Sequence, residues 1–236
     1  MDINIVGIDP SLISTAVCIN GKLFNYCRES DAYGKTGLKK WFKMCESEIT
    51  LSFVEYREYD NYSDGEITKL KDYDKITDKI ISDIIENIDL SKPTRVGIEG
   101  FSYASNAGAI IDLVTFSTLL RKKIFDKISE DIHVISPTTL KLESCKLTYP
   151  PINVGKRVPK LKCMNNEGIS GGNFTKREIF LSIVENDKLV DEWSLHCKSI
   201  KDDLLESSKI PKPYEDINDA VCIFLYIKEK YINDQN

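Results

Sequence analysis

Several features are missing from this sequence of 236 residues, and each absence removes a class of protein. No apolar run approaches the ~20 residues that a membrane-spanning helix needs. No basic stretch followed by an apolar one opens the chain, as it would in a secretory signal. The seven cysteines are odd in number and none has C-x-x-C spacing, so we expect neither a disulfide framework nor a structural zinc site. These absences predict a cytoplasmic protein that does not contact membranes.

An excess of positive charge is also missing, since the net charge is −5. Such a charge gives no general attraction to nucleic acid, but phosphate contacts need only one local basic surface. Between Lys141 and Lys162, six basic residues stand against the single acid Glu143, a local charge of +5. A run of charge is more often a solvated face. Here it is also consistent with a DNA-contacting segment.

Apolar periodicity predicts one α/β domain spanning residues 1–236. Residues 3–8 form a buried strand that ends at Asp9-Pro10, and Asn20-Gly21 favours a type I′ turn between strands 15–19 and 22–27. Residues 143–173 contain three prolines and four glycines without periodicity, which predicts a long irregular insertion. Further strands are predicted at 49–59, 95–99 and 132–135, and helices at 36–48, 66–88, 107–128, 137–141, 175–185 and 215–231.

The predicted helix at 107–128 is apolar on nearly all sides. A helix of this kind is either sandwiched within the core or shared with another subunit. The sequence leaves both alternatives open.

Four acidic residues follow or end apolar segments. Asp9 and Glu99 end predicted strands, while Asp216 and Asp219 are three residues apart on the last helix and so share one face. Turn capping could explain Asp9, and the helix dipole could explain Asp216. Glu99 is harder to explain in that way, because an unpaired buried carboxylate costs several kcal/mol.

If the fold brings these carboxylates together, their repulsion has to be relieved by protons or by cations. Ligands that are all oxygen suit Mg²⁺, with Mn²⁺ as a substitute. Two ions ~3.5 to 4 Å apart could activate a water and stabilise the charge of an in-line displacement at phosphorus. The acids therefore predict a metal-dependent phosphodiesterase.

Five segments, taken in order, resemble the sequence blocks of RuvC-like Holliday junction resolvases, and most of all the type carried by bacteriophages and large DNA viruses. The likeness covers about residues 1–230, without the stretches near 30–60 and 143–170. The matching segments are 7–12 (Gly-Ile-Asp-Pro-Ser-Leu), 98–103 (Ile-Glu-Gly-Phe-Ser-Tyr), 136–141 (Ser-Pro-Thr-Thr-Leu-Lys), 172–176 (Gly-Asn-Phe-Thr-Lys) and 216–220 (Asp-Ile-Asn-Asp-Ala).

This resemblance implies an RNase H-like (RuvC-like) fold, with a central mixed five-stranded sheet flanked by helices. It implies a crossover junction endodeoxyribonuclease that binds two Mg²⁺ ions and acts in recombination, repair or viral genome resolution. It also implies a homodimer on branched DNA, with the helix at 107–128 in the interface. By position, the catalytic metal ligands would be Asp9, Glu99, Asp216 and Asp219.

Contacts to DNA are expected from three groups of residues. The resemblance places two lysines near the scissile phosphate or the DNA backbone, the basic insertion supplies further cations, and two aromatic rings after Glu99 could stack on unpaired bases. Packing beneath the site is an alternative for those two rings. The predicted DNA-binding residues are Phe101, Tyr103, Lys141, Lys156, Arg157, Lys160, Lys162 and Lys176.

Three other functions compete with the junction nuclease. A ribonuclease H that cleaves RNA:DNA hybrids would share the fold and the carboxylates. An actin-like ATPase could also open with Gly7-Ile8-Asp9, but no second phosphate loop is evident. A non-catalytic DNA-binding relative would have no need of all four acids.

Overall fold

The computed structural model describes residues 2–34, 36–101, 107–147, 152–153, 161–162 and 175–234. The strands are β1 (Asn4–Asp9), β2 (Ser14–Ile19), β3 (Lys22–Cys27), β4 (Thr50–Phe53), β5 (Thr94–Glu99), β6 (Ile132–Ile135), β7 (Ile152–Asn153) and β8 (Leu161–Lys162). The helices are α1 (Glu29–Tyr33), α2 (Thr36–Cys45), α3 (Tyr62–Asn87), α4 (Ala107–Lys127), α5 (Pro137–Lys146), α6 (Lys176–Val184), α7 (Glu192–Ser199), α8 (Lys201–Glu206) and α9 (Tyr214–Asp234).

The main sheet has the strand order β4-β3-β2-β1-β5-β6. Strand β2 is antiparallel to β1 and β3, and the other neighbouring pairs are parallel. The predicted α/β class, a mixed sheet flanked by helices, is confirmed. The sheet has six strands rather than five, because β4 joins its edge beside β3.

The hairpin between β2 and β3 confirms the turn that the sequence predicts. Asn20 has φ 52° and Gly21 has φ 94°. A type I′ turn needs positive φ at both central residues, which is why Asn-Gly favours it. This turn sets the register of β2 against β3, with Ile19 opposite Lys22.

Several predicted boundaries differ from the structure. Strand β4 covers only four residues of the predicted 49–59, while α3 begins at Tyr62 because the Asn61 side chain accepts a hydrogen bond from the Asp64 backbone N–H. Helix α5 continues to Lys146 and so enters the predicted insertion. The short helices α7 and α8 were not predicted, because segments of eight and six residues give little periodicity. Of the insertion beyond α5, the structure describes Leu147 and the paired strands β7 and β8.

Side-chain alternation divides the residues of β1 between two cores. Val6 and Ile8 pack in a cluster with residues of α3 and α4. Ile5 belongs to a second cluster with α6, α7 and α9, on the opposite face. Because successive side chains of a strand point to opposite faces, Gly7 and Asp9 also face α9. The sheet is therefore covered on both faces, and its acidic strand end faces the last helix.

Helix α4 is only partly buried. Phe116, Leu120 and Ile124 are inaccessible to solvent against the sheet and α3, whereas Ile111 is 63% exposed and Phe125 is 50% exposed. Because α4 is apolar on several sides, some of its hydrophobic side chains lie at the surface of the isolated chain. Within the described ranges, no helix combines the length and the apolarity that crossing a bilayer requires.

Candidate metal centre

Asp9 and Glu99 are brought together by the parallel pairing of β1 with β5. Ile8 lies opposite Ile98 in this ladder, so the two acids at the strand ends are neighbours at the same sheet edge. The alternation that points Asp9 toward α9 also points Glu99 there, since Gly97, two residues before it, faces Ile223 and Ile227 of α9. Asp9 is buried and Glu99 is half-buried.

Helix α9 adds the acids from its first two turns. It packs closely on β1 at Gly7, where a Cβ atom would lie 2.3 Å from the Ala220 carbonyl oxygen and 2.6 Å from the Phe224 nitrogen. Only glycine permits this approach of the helix to the strand. The contact places Asp219, the residue before Ala220, beside the end of β1.

Three carboxylates converge as a result. One oxygen each from Asp9, Glu99 and Asp219 lies within 4.8 Å of the other two. Asp219 is only 1% exposed, and its Oδ1 atom is buried without a hydrogen-bond partner among the described residues. A buried carboxylate oxygen left in this way is costly unless a cation or a proton satisfies it.

The pKa values show how strongly this cluster resists ionisation. Burial, followed by the charges of Glu99 and Asp216, raises the pKa of Asp9 well above its ordinary value. Burial likewise raises the pKa of Glu99, and it raises the pKa of Asp219 to about 7 even though the charge of Lys176 lowers it. The metal-free cluster therefore retains protons in the pH range where isolated carboxylates have lost them.

These shifts make the stability of the metal-free fold depend on pH. The folded-state pKa of Asp219, about 7, lies above the value of 3.8 for the unfolded chain, so folding takes up a proton between those pH values. The contribution of Asp219 to stability is therefore largest below about pH 4 and falls as the pH rises towards 7. Asp9 and Glu99 shift in the same direction and add to the effect.

Lys176 supplies a positive charge at the cluster. Its ammonium group donates a hydrogen bond to Asp219 Oδ2. Burial lowers the pKa of Lys176, but the charges of Asp219, Glu99 and Asp9 outweigh this effect and raise it. Thr175 and Glu178 fix the start of α6 through a capping box, which anchors the backbone of Lys176. The charge of Lys141, on α5, also lowers the pKa of Glu99.

Asp216 is buried beside this cluster but does not belong to the group of three. Lys212 donates to both of its oxygens, at 2.7 Å to Oδ1 and 2.8 Å to Oδ2. The carboxylate is still close enough to raise the pKa of both Asp9 and Asp219. The four predicted acids thus divide into a convergent trio and a fourth that is paired with a lysine.

Of the predicted DNA contacts, the four that lie in the described part of the chain are Phe101, Lys141, Lys162 and Lys176. Phe101 is half-buried, and the Arg121 guanidinium lies 4.6 Å from its ring centroid, so one face of the ring is covered. Arg121 also donates from Nη2 to the Glu99 carbonyl oxygen at 3.4 Å. Lys162 lies in the short strand β8. The remaining predicted contacts fall outside the described residues, and they are Tyr103, Lys156, Arg157 and Lys160.

Sequence reasoning missed Lys212 and Arg121. Lys212 is only four residues before Asp216, but it precedes α9, so its contact depends on the conformation of the turn before that helix. Arg121 had no signal in the sequence, since its contact with the Glu99 strand end depends on how α4 packs against the sheet.

Solved structures similar to this chain include two of a bacterial RuvC and one of a yeast protein. RuvC of Thermus thermophilus is 11% identical in sequence, with a TM-score of 0.48 over 96% of both chains. The T. thermophilus RuvC in complex with a Holliday junction substrate is 9% identical, with a TM-score of 0.44 over 96% of both chains. The yeast mitochondrial Holliday junction resolvase Ydc2 is 10% identical, with a TM-score of 0.47 over 93% of this chain and 75% of that one.

No protein-family model matches the chain, and no curated protein matches it significantly in sequence. At identities and TM-scores this low, a likeness does not say what the chain binds or cleaves. The chemistry of the site has to be inferred from its own side chains.

Proposed function

We propose that this protein is a metal-dependent endonuclease that cleaves four-way junctions and related branched DNA. The observation that carries the proposal is the convergence of Asp9, Glu99 and Asp219 at one sheet edge, with Asp219 Oδ1 buried and unpartnered among the described residues. The separate resemblance of five sequence blocks to RuvC-like resolvases agrees with it and suggests a phage or viral type acting inside a host cell.

The donor set fits a hard divalent cation. All three converging ligands are carboxylate oxygens, which suit Mg²⁺ and Mn²⁺, and no nitrogen or sulfur ligand joins them in the described part of the chain. Asp9, Glu99 and Asp219 would hold one ion, and Asp216 would help to hold a second. When bound, such ions activate the attacking water and stabilise negative charge on the attacking and leaving oxygens.

The side chains of the protein divide the remaining work. The carboxylates would fix the position of the cations, and the sheet edge and α9 position these carboxylates. Lys176 presents a positive charge at the mouth of the cluster, where its partly exposed side chain can meet a DNA phosphate. Lys141 can do the same from the middle of α5. No side chain is required as a general base.

Two features of the chain favour the junction enzyme over a ribonuclease H. The segment from Lys141 to Lys162 carries a local charge of +5 and begins within α5. The exposed apolar side chains of α4, Ile111 and Phe125 among them, suit an interface with a second copy of the chain. A symmetric dimer would present two metal centres to the two strands that a four-way junction offers for cleavage.

The test compares three substrates: a synthetic four-way junction, a linear DNA duplex and an RNA:DNA hybrid. Each is incubated with Mg²⁺, with Mn²⁺ or with EDTA. We expect paired nicks in the junction only when metal is present, and none with Asp9→Asn. Asp187→Asn, an exposed acid beyond the far end of α6, is the matched control and should keep full activity. Preferential cleavage of the hybrid would identify a ribonuclease H instead, and metal-independent or absent cleavage would overturn the proposal.

A further inference from the structure

Lys212 stands in an unusual place for a lysine. It lies two residues before α9 begins, at the helix N-terminus, where the dipole disfavours positive charge. Its ammonium group is directed at Asp216, four residues further along, and contacts both carboxylate oxygens. The interaction with Asp216 must therefore offset the unfavourable end of the helix.

The two lysines at the acidic cluster differ in the number of carboxylate oxygens that they contact. Lys176 contacts only Oδ2 of Asp219 and leaves Oδ1 without a partner among the described residues. Lys212 contacts both oxygens of Asp216. A metal ion can therefore approach Asp219 while Lys176 remains in place, whereas at Asp216 the Lys212 ammonium group occupies the position between the two oxygens that a cation would take.

Lys212 also has a route away from Asp216. Its side chain is 28% exposed, whereas that of Asp216 is 6% exposed. A lysine can keep its aliphatic stem on the protein while its charged end moves into water. The ammonium group that moves into water remains a cation, because an exposed lysine is protonated at neutral pH.

We propose that Lys212 is an internal counter-ion of Asp216 that competes with a divalent cation for this carboxylate. The three converging acids then bind one ion directly, and a second ion binds more weakly because it must displace Lys212. Unequal affinities for the two ions follow from this arrangement. The inference rests on the proposed function in so far as it assumes that the acidic cluster binds divalent metal.

The test is calorimetric titration of MnCl₂ into the protein without DNA, so that the readout does not depend on cleavage. Wild type should bind two ions with different affinities. In Lys212→Met the weaker site should bind about tenfold more tightly, which corresponds to about 1.4 kcal/mol. Lys212→Arg keeps the charge and should behave as wild type, and so should Lys209→Met, which removes an exposed lysine from the same connection before α9.

A second measurement guards against a merely structural effect. Without metal, Lys212→Met should have a lower Tm than wild type, because Asp216 loses its partner, and Mn²⁺ should raise that Tm more than it raises the wild-type Tm. Adding Asp216→Asn to Lys212→Met should remove the gain in affinity. If Lys212→Met does not fold, Lys212→Gln serves in its place.

The possible failures are distinct. If wild type binds no Mn²⁺, the proposed metal-dependent function itself is wrong. If wild type binds Mn²⁺ but the weaker site is unchanged or weakened in Lys212→Met, the metal centre stands and the competition is refuted. If wild type and Lys212→Met each bind only one ion, the competition is likewise refuted.

Discussion

Replacing Gly7 by alanine should damage the metal centre without touching any of its side chains. The new Cβ would lie 2.3 Å from the Ala220 carbonyl oxygen and 2.6 Å from the Phe224 nitrogen, both backbone atoms of α9. Non-bonded heavy atoms prefer a separation of about 3.5 Å, so the helix has to move by roughly 1 Å. No rotation of a side chain can relieve this clash.

The expected cost has two parts. Overpacking of this kind destabilises a fold by about 1 to 3 kcal/mol. The displaced helix also carries Asp219 away from Asp9, and a misplacement of about 1 Å in a catalytic group can lower the rate by about 100-fold. Urea denaturation measures the first part, and Mn²⁺ titration together with junction cleavage measures the second.

Two other glycines provide a graded comparison. At Gly97 a Cβ would meet Ile223 Cγ2 at 2.6 Å and Ile227 Cγ1 at 2.7 Å, which are side-chain atoms that can shift, so Gly97→Ala should cost less than Gly7→Ala. At Gly37 in α2 nothing lies within 4 Å, and alanine should stabilise the helix by up to about 1 kcal/mol. If Gly7→Ala stayed within about 0.5 kcal/mol of wild type and bound Mn²⁺ normally, the contact between α9 and β1 would not be what positions the site.

Three further predictions concern the acids and the basic segment. Asp9→Asn and Glu99→Gln should each abolish cleavage, because the lost groups hold metal. Junction binding, measured by gel shift, should stay within a few fold of wild type, because these groups do not contact phosphate. Near-full turnover in either variant would contradict its assigned role. Without metal, the free energy of unfolding should fall as the pH rises from 4 to 7. The fall is up to about 1.4 kcal/mol per pH unit for each proton that the folded protein holds and the unfolded chain has lost, and saturating Mg²⁺ should flatten this slope. Asp219→Asn should reduce the metal-free slope, and an unchanged slope would show that Asp219 titrates normally. Neutralising four basic residues of the insertion together should weaken DNA binding and make the DNA affinity less dependent on salt concentration; these residues are Lys156, Arg157, Lys160 and Lys162. If the salt dependence of the affinity did not change, the insertion would not contact DNA.

The proximity of Asp9 and Glu99 could be predicted because it depends on local pattern and on one pairing. Each acid ends an apolar strand, and the carboxyl ends of parallel strands meet at one sheet edge. The Asn20-Gly21 turn was equally predictable, since its conformation is set by those two residues. The place of β4 was not, because four residues can pair with any free edge of suitable register, and only packing chose the edge beside β3.

The sequence by itself determined which ligand atoms the candidate site offers. Four carboxylates at the ends of apolar segments supply oxygen ligands of the kind that suit a hard divalent cation. The tertiary structure decided which oxygens are available. Among the described residues, Asp219 has one oxygen without a partner while Lys212 contacts both oxygens of Asp216, and this difference depends on ångström-scale distances. Those distances are set where α9 packs on Gly7, a contact between residues more than two hundred positions apart.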